Sequence, residues 1–156
     1  MMRQVMTIQA FTALVGQSLG QSDWLVIDQD RIDKFAAVTE DFQFIHTDAA
    51  RAAAETPFGG TIAHGFLTLS LLSHLNAQVL PDIKNRAMTF NYGMNKVRFL
   101  HPVACGSRIR SQVSLRSVTQ KQPGRYLCQL EAQIEIEGQA VPALIAEQLV
   151  MHVITK

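Results

Sequence analysis

Charge is scarce in this chain. Only 17% of its 156 residues are Asp, Glu, Lys or Arg, against 47% apolar, and the formal net charge is +1. So small a charge, with no clustered basic face, gives no footing for a nucleic-acid partner. The apolar excess excludes a disordered chain and points to surface hidden in an oligomer. Cysteine is nearly absent: Cys105 and Cys128 form no disulfide framework and lack metal-ligand spacing. Both fall in strand-like runs and are read as buried or half-buried thiols of a reducing cytoplasm. Long apolar runs are missing too. Thr56 to Pro81 carries no Lys, Arg, Asp or Glu, but Pro57, Gly59, Gly60, His64, His74 and Asn76 interrupt it. A membrane span needs about 20 predominantly apolar residues, and the unbroken block here runs only from Phe66 to Leu72. It reads as a helix buried in protein, with no membrane partner. Gln4, Thr7, Gln9 and Thr12 break up the N-terminal stretch, which argues against a signal peptide. With no repeat or low-complexity linker, residues 1–156 read as a single domain.

Helical signals fill the first half. Thr7 to Val15 predicts a short amphipathic helix, with Ile8, Phe11, Ala13, Leu14 and Val15 as candidates for burial and Gly16 as its stop. DWLVID (23–28) reads as a short strand. Asp28 or Asp30 can cap a helix through Val38, whose apolar stripe is Ile32, Phe35, Ala36 and Val38. Thr47 or Asp48 caps AARAAAE before Pro57, and the buried helix runs from about Ala63 to Gln78. After Pro81 come four strand-like runs, 87–101, 107–119, 124–137 and 140–154, parted by HPVACGS, TQKQPG and EGQ. Val97/Phe99, Ile109/Ser111/Val113/Leu115 and Leu130/Ala132/Ile134/Ile136 alternate as half-buried antiparallel strands do. The pattern is α+β, a sheet wrapped on one central helix.

The residues that can carry chemistry cluster around that helix. Asp41 and His46 lie five apart. In a helix that spacing sets them about 140° apart; in a strand it sets them on opposite faces. They converge only in an irregular turn, which would let Phe42, Phe44 and Ile45 form an apolar surround. An acid and an imidazole sharing a water there meet the needs of general acid–base catalysis. The alternative is a polar helix C-terminus and a loop histidine. At a helix starting near Ala63, the N–H groups of His64, Gly65 and Phe66 are unpaired donors at the positive dipole end. They can polarise a carbonyl, with Gly65 allowing its close approach; the alternative is that Gly65 only permits close helix–sheet packing. Gly59-Gly60 fits a turn, without phosphate-loop spacing. His64 reads either as a second acid or base or as a first-turn histidine bonded to the backbone. His74, His101 and His152 are scattered, with no carboxylates at ligand spacing, so no metal site is indicated. Ser70 and Ser73 read as back-bonded to their helix.

Together these residues resemble the MaoC-like dehydratases, the hot-dog-fold (R)-specific enoyl-CoA hydratases, and within them the nodulation-protein-N-like branch. The resemblance runs through GQSLGQSDWLVIDQDRIDKFAAVTEDFQFIHTD, PFGGTIAHGFLTLSLL and VRFLHPVACGSRIR. It implies Asp41 and His46 as the catalytic pair and the Gly65 N–H as the carbonyl-binding group. Phe44, Gly60, His64 and Phe66 would be substrate-binding positions. Many members carry Asn-Pro between the pair where Gln43-Phe44 stands here, as the nodulation-like branch similarly does; this bears on substrate range. The implied fold is a hot dog, a curved antiparallel sheet around a long central helix, usually a homodimer with one continuous sheet. The implied activity is reversible hydration of a trans-2-enoyl-CoA to the (3R)-3-hydroxyacyl-CoA. Asp41 would act as base, and His46 would orient the water and help deliver the α-proton. No cofactor is implied, because the CoA belongs to the acyl-thioester substrate. A hot-dog acyl-CoA thioesterase and a non-catalytic acyl-thioester-binding subunit are the competing readings.

Overall fold

The second half of the chain folds as the antiparallel meander its alternation predicts. The structure, a computed structural model, describes residues 5–155; the parts of the sequence expectations that touch residues 1–4 and 156 lie outside the described residues. Short strands β1 (Val5–Met6), β2 (Ser18–Gln21), β3 (Leu25–Val26) and β4 (Asp82–Ile83) precede the long ones. These are β5 (Arg86–Phe99), β6 (Arg108–Gln122), β7 (Arg125–Ile136) and β8 (Leu144–Ile154). The six-stranded sheet has the order β2-β6-β7-β8-β5, with β3 also on β6. Its named pairings are antiparallel, while β1 and β4 form a small parallel pair apart from it. Register shifts in β2–β6, β5–β8 and β6–β7 bend the strands. At the β6–β7 turn Gly124 has φ +73°, and a Cβ there would stand 2.6 Å from the Ile154 carbonyl oxygen, so the position demands glycine.

Residues two apart share a sheet face. Ile109, Ser111, Val113 and Leu115 of β6 and Leu130, Ala132, Ile134 and Ile136 of β7 are buried accordingly. Against Ile109, Ala132, Ile134 and Ile136 lie Leu67, Leu72 and Leu75 from the apolar segment. Each such fully buried aliphatic side chain contributes about 1.5–3 kcal/mol. A second cluster gathers Ile8 and Phe11 with Val113, Leu115, Leu130 and Val150. A buried polar line crosses the first: Ser111 Oγ donates to Asn76 Oδ1, and Asn76 Nδ2 donates to Gln148 Oε1.

The helices are α1 (Ile8–Thr12), α2 (Gln29–Thr39), α3 (Phe44–Thr47), α4 (Ala49–Glu55), α5 (Gly65–Ser70) and α6 (Leu72–Val79). Asp28 and Asp48 cap α2 and α4 through the N–H groups of Arg31 and Arg51, as acids at that place should. The expected single helix from Ala63 instead starts at Gly65 and is interrupted at Leu71. Ser70 Oγ donates to the Leu67 carbonyl at 2.8 Å, drawing on the helix's own acceptor. The Leu75 N–H still reaches the Leu71 carbonyl, so the turn resumes at once.

Other expectations need correction. Strand 23–28 shrinks to Leu25–Val26; at its start the Asp23 N–H is taken by the Gln78 side chain. Val38 is 80% exposed, and Ala13 and Val15 also face water, because α1 and α2 bury narrower stripes than their apolar residues allow. Cys105 is exposed: it lies in the turn before β6 where Gly106 has φ +87°, not in a strand. Cys128 is buried as expected, and burial pushes its thiol up to about 12. Among the described residues no helix is long and apolar enough to cross a membrane.

Candidate active site

Helix α2 stops where Glu40 takes the left-handed conformation, φ 60°. A non-glycine residue there is strained by roughly 1 kcal/mol, and the turn it makes starts a new direction at Asp41. The Asp41 carboxylate is exposed, and its Oδ1 accepts from the Gln43 N–H at a long 3.4 Å. Phe42 is 61% exposed, so it does not join the apolar surround expected of it, since it precedes α3 rather than lying in it. Phe44 and Ile45 are half-buried, and the Phe44 ring lies 4.0 Å beneath the Arg51 guanidinium. The irregular turn that the spacing required is therefore present: an αL residue, an extended link and the one-turn helix α3.

His46 sits in that turn and is buried. Its Nδ1 lies 2.7 Å from the carbonyl oxygen of Ile62. A carbonyl can only accept, so Nδ1 holds the proton and Nε2 presents a lone pair. The backbone of His46 is pinned as well. Gln29 Nε2 donates to its carbonyl at 2.7 Å and to Asp33 Oδ1 at 2.8 Å, while Gln29 Oε1 accepts from the Thr61 hydroxyl. Desolvation pulls the His46 imidazole below its ordinary range, and the neighbouring His64 adds to this. The Ile62 bond and the Asp41 charge oppose it without reversing it.

The segment from Thr61 to Gly65 forms the floor. The Ile62 N–H donates to Ile45 and the Ala63 N–H to Val103, which locks the segment between α3 and the loop after β5. The His64 ring stacks on His46, centroids 3.8 Å apart and planes 23° apart, and meets Phe35 at 5.0 Å on another side. His64 is bonded to the backbone as expected, though not within its own helix: its Nε2 lies 3.0 Å from the Asp41 carbonyl, and among the described residues its Nδ1 is buried without a partner. Gly65 opens α5, so its N–H has no acceptor within the helix. A Cβ on Gly65 would press two Phe99 ring carbons at 3.1 Å.

Asp41, His46 and His64 each offer an atom within 4.8 Å of the others. His46 Nδ1 and His64 Nε2 each face a backbone carbonyl, so the ring nitrogens left to accept are His46 Nε2 and His64 Nδ1. The arrangement suits a small molecule held between a carboxylate and a neutral imidazole.

A cleft of about 310 Å³ opens beside His46, with His46, Gly65, Thr68, Phe99, His101 and Val103 in its wall; Asp41 and His64 are not among the residues that line it. Phe66 is 69% exposed and packs edge-on to Phe99, centroids 5.9 Å apart. Gly60 is half-buried in the turn before Thr61, open around its Cα. His46 and Gly65 thus reach one cleft, and Phe66 adjoins it through Phe99. Phe44 and Gly60 flank the pair from α3 and the preceding turn. Gln29, Ile62, Phe99 and His101 were not read as site residues from the sequence. All four lie in the stretches that carry the family resemblance, Gln29 in IDQDRID, Ile62 in GGTIAHG, and Phe99 and His101 in VRFLHPV. A larger cavity of about 470 Å³ lies between α6, β5 and β8, where Asn76, Gln148 and His152 face it; Asp41, His46 and Gly65 are not in its wall.

Residues 10–135 match the family model described as MaoC like domain. The chain is 48% identical to nodulation protein N of Rhizobium leguminosarum bv. viciae over 132 residues, 85% of this chain and 82% of that protein. It is 44% identical over 152 residues to 3-hydroxyacyl-thioester dehydratase Z of Mycobacterium tuberculosis (strain ATCC 25618 / H37Rv), 97% of this chain and 99% of that one. Among solved structures, the (R)-hydratase from A. caviae superposes with a TM-score of 0.71 at 29% identity, covering 87% of this chain and 94% of the other. The sheet with its enclosed helix is the hot-dog fold.

Proposed function

The chain belongs to the MaoC-like dehydratase family, a hydro-lyase kind of enzyme, and on that premise we propose that it adds water reversibly to a trans-2-enoyl-CoA to give the (3R)-3-hydroxyacyl-CoA. One observation carries the reading. The Nδ1–H of His46 is spent on Ile62, which leaves Nε2 free on a ring that lines the cleft, with the Asp41 carboxylate close by.

A water between these groups gives one hydrogen to the carboxylate and one to Nε2, so its oxygen lone pair is free for the substrate. The thioester oxygen would lie on the Gly65 N–H, where the donor stabilises the negative charge that develops as the C2–C3 double bond is attacked. The water oxygen bonds to C3 while the pair takes up its proton. A proton held by the pair then passes to C2, and the sum is one water across one double bond. Neutral His46 has no proton at Nε2 until it accepts one, so Asp41 and His46 act as one unit rather than as a fixed base and a fixed acid. Phe44, Gly60 and Phe66 would shape the approach of the acyl-thioester. No cofactor takes part in this chemistry.

The same reading includes a homodimer joined through β5. That strand ends the sheet order and is 14 residues long, with Met88, Phe90, Tyr92 and Met94 exposed along it. A long apolar edge of that kind invites pairing. A two-fold axis near Tyr92 and Gly93 would join two copies into one sheet. The molar mass in solution should be twice that of the chain, and Tyr92→Lys should halve it; a monomeric wild type overturns the assembly. For the reaction, loss of enoyl-thioester absorbance from crotonyl-CoA, with free thiol followed in parallel, is the test. Absorbance loss without thiol supports hydration; thiol release would make the protein a thioesterase, and neither signal would leave a binding subunit.

A further inference from the structure

His64 is the buried titratable group whose bonds lead away from its own helix. It is 3% exposed, and it caps nothing in α5. Its Nε2 faces a carbonyl oxygen, that of Asp41, so Nε2 carries the proton and donates it. Its ring lies flat against the ring of His46. One side chain therefore touches the backbone of one member of the pair and the ring of the other.

We infer that His64 is a positioning residue that ties the Asp41 main chain to the face of the His46 imidazole and so sets the gap across which the two hold a water. The inference rests on the hydratase reading for its catalytic consequence, though not for its geometry. Asp41 needs such an anchor. It lies in the irregular stretch after a strained αL turn, and among the described residues the long Gln43 contact is the hydrogen bond that its carboxylate accepts. His46 is held separately, by Ile62 and Gln29. Ile62 and His64 are two residues apart in a segment fastened to Ile45, Val103 and Ala104. That one segment grips His46 through the Ile62 carbonyl and Asp41 through the His64 ring. Without His64, nothing in this segment registers the carboxylate against the imidazole.

Two substitutions separate the two contacts. His64→Phe keeps a ring between Phe35 and His46 but has no N–H for Asp41. His64→Gln keeps a donor at the place of Nε2 but removes the stacked ring. With crotonyl-CoA, His64→Phe should lower kcat by about 10–100-fold and leave KM within about threefold, as misplacement of a catalytic group by about 1 Å does. His64→Gln should retain the greater part of kcat. The readout independent of turnover is the imidazole titration of His46 followed by NMR. The ring faces Asp41 from the loop after α2 and His64 from the segment before α5, while His101 from the loop after β5 lines the same cleft. Asp41→Asn should move the His46 midpoint down in the wild-type background, because the Asp41 charge raises it. In the His64→Phe background the same change should produce a clearly smaller shift. An equal shift in both backgrounds, or wild-type kcat in His64→Phe, overturns the inference. If the wild type does not hydrate crotonyl-CoA, the function fails, and the two NMR shifts still decide the positioning role.

Discussion

The Nδ1–H of His46 donates to the carbonyl oxygen of Ile62 across 2.7 Å. That bond decides the tautomer of a ring that lines the cleft, and so which nitrogen can meet a substrate water.

Activity should therefore persist in acid. Desolvation first, and His64 after it, hold the His46 imidazole below 6.5, and a base works only while it is unprotonated. The acid limb of kcat/KM, to the extent that it reports His46, should fall below that value, and NMR titration of His46 should give a midpoint on the same side. A His46 midpoint above 6.5 would contradict the burial described for the site.

Gly65 allows the N–H to be tested apart from the side chain. Proline is tolerated at a first helical position, and His64 at φ −58°, ψ 136° already has the conformation that precedes proline. Gly65→Pro should fold while losing the donor, and Gly65→Ala keeps the donor while pressing the half-exposed Phe99 ring as proline also does. Removal of one oxyanion donor costs about 10²–10³ in kcat, so proline should fall that far below alanine. Equal activity in the two variants would remove Gly65 from the reaction.

Stability should decline in mild acid because of His152. Burial first, then Arg86, depresses this imidazole from 6.5 to about 4. Above 6.5 it is neutral in both folded and unfolded chains. Between 6.5 and about 4 only the unfolded chain takes the proton, so stability falls as pH falls through that window. The full loss is about 3 kcal/mol, and the lowered His46 acts in the same direction. Urea midpoints at pH 7 and pH 5 should differ clearly for the wild type and less for His152→Gln. Identical pH dependence in the two would contradict the assignment.

Much of this architecture is legible in the residues themselves. Asp28 and Asp48 announce α2 and α4 because caps are local, and the period-two burial of Ile109 to Leu115 announces β6. His46 and Gly65 line one cleft and Asp41 lies within 4.8 Å of His46, and the αL turn at Glu40 is what lets the latter two approach. The rest depends on contacts distant in sequence. Gln29 reaches the His46 carbonyl 17 residues on, and His64 reaches Asp41 across 23; no spacing rule encodes either. The break at Leu71 has no glycine or proline to mark it; the Ser70 hydroxyl shares the Leu67 carbonyl there. Phe42 and Cys105 were misjudged because apolar character fixes neither the end of a helix nor the edge of a turn.

The most direct test is hydration of crotonyl-CoA by the wild type beside Asp41→Asn and His46→Gln, with chiral analysis of the product. Loss of a general acid–base group costs about 10²–10⁴ in rate. The wild type should form the 3R alcohol, and each variant, still folded, should lose activity on that scale. A 3S product, or variants as active as the wild type, would contradict the assignment of Asp41 and His46 as the hydrating pair.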